Sequence, residues 1–200
     1  MSIIDEELAK AFLDDPENVD LSEATGITAG AAEALSKCEG YVSLGGLTKL
    51  SDTAAEALSK HQGQGGLDLG GLHELSDAAA ESLSKHQGEL ALYGLTELSD
   101  AAAESLSSHK GDLSLDGLTE LSGAAAESLS KHEGDLYLGL EELSDAAAES
   151  LSKHKGKLDL SLCDLTELSD AGAEALSKHE GEINSQDPKE WVASLRVSEG

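Results

Sequence analysis

A period of about 23 residues governs this chain. Val19, Val42, Leu67, Leu90, Leu113, Leu136, Leu158 and Ile183 occupy equivalent places in successive copies of one unit, at spacings of 23, 25, 23, 23, 23, 22 and 25 residues. A unit that short cannot enclose a core of its own, so its apolar face must be covered by the copies before and after it. The clearest copy is Leu75 to Glu97, LSDAAAESLSKHQGELALYGLTE. The irregular spacings are local. Gln64 and Gly65 read as an insertion, one residue is missing around Gly139, and about two are added near Leu162 and Cys163.

Inside a copy, Leu90, Leu92 and Leu95 define a short extended segment with alternate residues on one side. Leu98, Ala102 and Leu106 stand four apart and line one face of a helix. Ser99 and Asp100 sit at its start, where either can cap free amides. Lys85 and its equivalents Lys37, Lys60, Lys131, Lys153 and Lys178 come near the helix end, in the sense that complements the macrodipole. Gly40, Gly63, Gly88, Gly111, Gly134, Gly156 and Gly181 follow and read as helix stops. Strand, helix and return to a strand of the same direction predicts a right-handed α/β solenoid of about seven stacked repeats. Its parallel β-sheet forms one face and its helices the other, over a rod roughly 30 to 40 Å long at about 4.8 Å per coil. With only 2 % aromatic residues, the core has to be built from Leu and Ala.

The ends depart from the unit. Residues 1–18 predict an N-terminal capping helix with Ile3, Ile4, Leu8 and Phe12 on its apolar face, residues 19–181 the solenoid, and residues 182–200 a last strand and a C-terminal capping helix. In that last helix Asp187 and Pro188 make the start, and Trp191, Val192 and Leu195 the covering face.

Charge narrows the classes of partner. Forty acidic against 13 basic side chains leave a formal charge of -27, which speaks against nucleic acid and anionic membranes and is compatible with a basic protein or peptide. Cys38 and Cys163 are too few for a disulfide framework, the acidic start lacks the features of a signal peptide, and no stretch is long and apolar enough to span a membrane. A cytoplasmic, monomeric protein is the expectation.

The Leu-x-Leu strand followed by an apolar residue, Ser-Asp and a small-residue helix resembles the leucine-rich repeat, especially its bacterial and ribonuclease-inhibitor-like forms. Leu168, Ser169, Asp170, Ala171, Gly172, Ala173, Glu174, Ala175 and Leu176 carry the likeness most clearly, and it covers residues 19 to about 183. The chain departs from the family after the strand. Leu95, Leu118 or Leu140 stands where the family has an Asn or Cys whose side chain ladders between coils, which points to an irregular subclass. The resemblance implies a curved solenoid with its strands on the concave side, used chiefly to bind other proteins.

Stacking converts each repeat position into a column. One column runs Cys38, His61, His86, His109, His132, His154, His179, on the apolar side of the helix end. Its rings are expected to form a structural ladder, hydrogen-bonding in series or capping turn carbonyls in place of the missing Asn. A closed zinc site wants about four ligands, and the column supplies no carboxylate or second thiol, so no metal is expected. No third group orients a Cys38 and His61 pair, so catalytic residues and cofactors are expected to be absent. Glu56, Glu81, Glu104, Glu127, Glu149 and Glu174 read as a solvated helix face. Glu74, Glu97, Glu120, Glu142 and Glu167 read as a solvated edge or as a contact for cations or a basic partner. The Thr column of Thr48, Thr96, Thr119 and Thr166 is broken by His73 and Glu141, which argues against a flat ice-binding array.

The copies differ most between the fixed leucines. Ser43, Asp68, Ala91, Ser114, Tyr137 and Asp159 stand in mid-strand, and Gly45, Gly70, Tyr93, Asp116 and Ser161 stand two positions on, all expected on the strand face away from the core. Tyr41, Tyr93 and Tyr137, the chain's three tyrosines, lie at or beside this face. Aromatic side chains among carboxylates suit a recognition surface, so the expected binding residues are Tyr41, Ser43, Asp68, Ala91, Tyr93, Ser114, Asp116, Tyr137 and Asp159. Drift at positions the fold leaves unconstrained would give the same variability. The functional expectation is a non-enzymatic module binding a protein or peptide on its strand face. The alternatives are a structural spacer with no ligand, or a weak divalent-cation binder acting through the acidic or His columns.

Overall fold

The computed structural model describes residues 2–61, 65–160 and 168–197, with Arg196 and Val197 described by backbone alone. Ser161, Thr166, Glu167, the insertion near Leu162 and Cys163, and Gln64 therefore lie outside the described residues. The chain begins with β1 (Ile3–Ile4), α1 (Glu6–Asp14), β2 (Gly26–Ile27) and α2 (Ala29–Leu35). Strands and helices then alternate as β3 (Val42–Ser43), α3 (Asp52–Leu58), β4 (Leu67–Asp68), α4 (Asp77–Leu83), β5 (Leu90–Ala91), α5 (Asp100–Leu106), β6 (Leu113–Leu115), α6 (Gly123–Leu129), β7 (Leu136–Leu138), α7 (Asp145–Leu151), β8 (Leu158–Leu160) and α8 (Asp170–Leu176), before α9 (Pro188–Val197) closes the end.

β3 to β8 form one parallel sheet in sequence order, and each of α1 to α8 packs on the next. The molecule is an α/β solenoid of about seven strand and helix coils. Register follows the repeat: Leu67 pairs with Leu90, Leu90 with Leu113, and Leu113 with Leu136. Each leading leucine donates its amide to the next coil, as in Leu90 to Asp112 O at 2.9 Å and Leu136 to Lys157 O at 2.9 Å. Leu90, Leu92, Leu95, Ala102, Ala103 and Leu106 of one copy are all fully buried. The core is thus a continuous seam of Leu and Ala between sheet and helices, which no single coil could enclose.

The repeat helices α2 to α8 are seven residues long and need external support. Ser99 Oγ accepts from Ala102 N at 3.0 Å, and Ser76, Ser122, Ser144 and Ser169 cap their helices alike. The same hydroxyls also donate across coils, from Ser76 to Asp52 at 2.6 Å, Ser99 to Asp77 at 2.5 Å and Ser122 to Asp100 at 2.5 Å, with Ser169 on Asp145 continuing the series. Ser76, Ser99, Ser122 and Ser169 thus each satisfy an orphan amide of their own helix while gripping the first-turn carboxylate of the coil before, whereas Ser144, which follows a helix begun by Gly123, only caps.

Three expectations are corrected. Glycines do not stop the helices, which end at Leu35, Leu58, Leu83 and their equivalents several residues earlier. The following Ser is right-handed helical and turns its hydroxyl onto a last-turn carbonyl, as Ser84 does to Glu81 O at 2.9 Å. The glycines instead permit backbones to touch. A Cβ on Gly134 would lie 2.3 Å from Gly111 O, and one on Gly111 would lie 1.9 Å from Gly88 O. Val19 does not begin a strand: its amide returns to Asp15 O at 3.2 Å, and Asp20 turns its carboxylate onto Ser22 N at 2.8 Å. Nor do Ile3 and Ile4 belong to a helix. They form β1, which pairs with β2 in the segment leading into the helices, so that the N-terminal cap is a half coil in which Asp5 caps α1 as Thr28 caps α2. Ile4 and Phe12 are buried there, whereas Ile3 is exposed.

The far end is closed by an amide. Asn184 Oδ1 accepts from Leu160 N at 2.6 Å and its Nδ2 donates to Leu160 O at 2.7 Å, so one side chain imitates the next strand. Ile183 bridges Leu158 in the expected register, and Trp191 and Val192 of α9 are buried against the end of the stack. Among the described residues no helix is long and apolar enough to cross a membrane.

Candidate functional site

Two constellations stand out, one inside the stack and one on its strand face. The inner one is the His column. His61, His86, His109, His132, His154 and His179 are all buried, with ring centroids 5.3, 6.0, 6.0, 6.2 and 6.2 Å apart. From His86 onward neighbouring rings are parallel to within 13° or less. Each follows a helix-ending Leu by three residues, so the repeat carries it back under the turn. The expected serial hydrogen bonds do not form, because the rings meet face to face. Capping of carbonyls occurs at the ends of the column: His61 Nε2 donates to Gly40 O at 3.0 Å, and His179 Nδ1 to Ser152 O at 3.4 Å. Both ring nitrogens of His86, His109, His132 and His154 lack a partner of hydrogen-bond geometry.

The environment holds the rings of His61, His86, His109, His132 and His154 neutral. Burial pushes the His86 imidazole down to about 4, and the His61 and His109 rings on either side push the same way. His109, His132 and His154 are lowered by burial first and by the next ring second, while nearby backbone groups oppose the shift. His61 is lowered by burial against the support of Gly40. Parallel rings place equivalent nitrogens about as far apart as the centroids, whereas one ion joining two imidazoles needs them roughly 4 Å apart. Among the described residues no three His, Cys, Asp or Glu side chains converge as metal ligands.

The strand face holds the expected binding residues in three groups. In the first, Asp68 is only 7 % exposed although it points away from the leucine seam. Ser43 Oγ donates to its Oδ2 at 3.1 Å and Gly70 N to its Oδ1 at 2.8 Å, and the hydroxyls of Tyr41 and Tyr93 approach the same carboxylate. Tyr93 lies directly on the preceding coil's backbone: a Cβ at Gly70 would fall 2.0 Å from its ring, and one at Gly45 would fall 3.4 Å from its hydroxyl. The glycines of this column are therefore the floor on which Tyr93 rests. Burial, with Asp68 and Glu89 behind it, pushes the Tyr41 phenol up to about 12, and Tyr93 is raised by burial and then by Asp68. Both remain neutral hydrogen-bond donors.

In the second group, Ser114 Oγ donates to Asp116 Oδ2 at 2.5 Å. In the third, Lys157 Nζ stands 5.6 Å from the centre of the Tyr137 ring and 3.6 Å from Asp159 Oδ2. Ala91 is placed on the strand face but is only 5 % exposed, too small to reach past its neighbours, and is corrected from contact residue to filler. Sequence reasoning missed Lys157, whose signal was being the one basic residue in the column Tyr41, Gly66, Glu89, Asp112, Asp135, Lys157, Glu182. It also missed that Asp112 and Asp135 serve the backbone: Asp112 Oδ1 accepts from Asp135 N, and Asp135 Oδ1 from Lys157 N, both at 3.0 Å.

The acidic helix column is exposed and paired along the helix, with Lys60 to Glu56 at 3.4 Å, Lys153 to Glu149 at 3.3 Å and Lys178 to Glu174 at 3.1 Å. Exposed pairs of this kind contribute about 0.3–0.5 kcal/mol each and mark a solvated face. No family model matches the chain, and no curated protein matches it.

Proposed function

We propose that this chain is a non-enzymatic recognition module of leucine-rich-repeat type that binds a protein or peptide on its strand face. The observation that carries the reading is the placement of the tyrosines. In a chain with 2 % aromatic residues, all three lie on one face, and Tyr41 and Tyr93 are about half exposed there at 49 % and 46 %. Half-exposed aromatic rings on a rigid sheet, among carboxylates, supply contact area at little ordering cost. The reading takes the module to be a monomer in a reducing, cytoplasmic setting, where Cys38 keeps a free thiol.

The test is affinity capture from the source cell with the native chain and with a Tyr93→Ala, Asp116→Ala, Tyr137→Ala variant whose circular dichroism and melting match the native protein. The expected result is a partner retained by the native chain and lost by the variant. A partner retained equally by both would remove the strand face as the binding surface. Failure of the native chain to retain any partner would favour a spacer whose regular stack is itself the function.

A further inference from the structure

The strand face carries one Tyr and Asp pair that already holds a cation and one Tyr and Asp group that does not. At Tyr137 the cation is the chain's own: Lys157 lies over the ring at 5.6 Å and against Asp159 at 3.6 Å. Near Tyr93 the same chemistry is assembled without it. Asp68 is fixed by Ser43 and the Gly70 amide, with Tyr41 and Tyr93 half exposed beside it. Where the coil after Tyr137 presents Lys157 just before its strand, the coil after Asp68 presents Glu89. Among the described residues no Lys or Arg is paired with Asp68 or lies over Tyr41 or Tyr93. A self-neutralised pair at one end of the sheet thus becomes a group with surplus negative charge near the other.

We infer that Tyr41, Asp68 and Tyr93 form a seat for a cationic side chain, arginine above lysine, presented by an extended segment of the partner. The inference rests on the strand face being the binding surface and adds the chemistry of what it binds. Tyr93 is packed on Gly70 from below, so its outer face is held flat and open, and a planar guanidinium stacks on such a ring within reach of the charge of Asp68, whose own oxygens stay with Ser43 and the Gly70 amide. Asp68 is held in place by its donors before any ligand arrives, and its negative charge acts on Tyr41 together with that of Glu89. The net charge of -27 draws a basic segment toward the chain, and the pocket selects where it seats.

The experiment titrates the full chain with a six-residue Gly/Ser peptide carrying one central arginine, and with its citrulline counterpart, which keeps shape and hydrogen bonding but removes the charge. Backbone amide spectra report the site. The expected result is shifts centred on Gly70, Tyr93 and Ser43, with the citrulline peptide about five- to tenfold weaker. Asp68→Asn and Tyr93→Ala are each expected to abolish the difference between the peptides while leaving amides beyond β6 unmoved. Tyr93→Phe, which keeps the ring, is expected to retain most of it. Equal shifts at these residues for both peptides would overturn the cation seat and leave the strand face as a surface for uncharged segments. Shifts confined to the helix-face glutamates, or none at millimolar peptide, would also overturn it. The capture experiment, which varies Asp116 and Tyr137 as well, reports separately on the wider face.

Discussion

The inter-coil Ser to Asp ladder predicts that one substitution will stabilise this protein. Every link needs a carboxylate at the first helical position and a Ser cap in the next coil, and Asp52, Asp77, Asp100 and Asp145 supply it. α6 begins instead with Gly123, so Ser144 caps its own helix without a carboxylate across the coil boundary. A Cβ on Gly123 meets nothing within 4 Å, so Gly123→Asp can be accommodated without displacement. Replacing Gly in a helical conformation contributes about 0.4–1 kcal/mol through the unfolded chain. An acidic group in the first turn contributes about 0.3–1 kcal/mol. The exposed hydroxyl to carboxylate bond contributes about 0.5–1 kcal/mol. Against these, the new charge faces Asp100 and Asp145 at coil spacing, costing roughly 0.4 kcal/mol each after screening at physiological salt. The balance is a gain of about 1 kcal/mol, read by equilibrium urea unfolding. Gly123→Ala isolates the backbone contribution and should gain about half as much. In a double-mutant cycle, Ser144→Ala should couple to Gly123→Asp by about 0.5–1 kcal/mol. Equal stability of the Asp and Ala variants, or a coupling of zero, would refute the ladder as a source of stability.

The His column and the glycine column carry two further predictions. Because the folded imidazoles of His61, His86, His109, His132 and His154 are held below their ordinary value, the unfolded chain binds protons at these positions first as pH falls. Stability contributed by the column is therefore complete above about pH 7 and is lost between about pH 6.5 and pH 4. His86, pushed down to about 4, should alone cost about 2 kcal/mol at pH 5. Melting followed between pH 7.5 and 5 should show a fall that His86→Asn makes shallower, and parallel curves for the two proteins would contradict it. Gly134→Ala should destabilise by about 1–3 kcal/mol, since its Cβ would lie 2.3 Å from Gly111 O and backbone must move to admit it. Urea unfolding indistinguishable from native would show that these backbones are not in forced contact.

Most of the fold is legible in the sequence because a local period dictates which side of each element is apolar. The leucine register, the Ser caps and the burial of the His column all follow from repeat positions brought into line, since stacking near-identical units forces equal letters together. Less of the face was legible. Tyr93 was identified, but whether its ring stands free or lies on a neighbour depends on Gly70, 23 residues away, and that vector between coils is not written in either copy. Asp68 read as an exposed contact and is instead a buried anchor, because the residues that cover it come from adjoining coils. The glycines after the helices look like stops when one copy is read alone and are contact points once two copies are stacked. Val19 fits the period yet forms no strand, since Asp15 and Asp20 turn the chain locally before it can pair. What the sequence by itself determined is therefore the unit, its order and its apolar seam, all properties of spacing along one chain. Only the tertiary structure decided which polar side chains meet across coils, because those meetings depend on the displacement between copies, and that displacement is set by how closely the leucines and glycines let them pack.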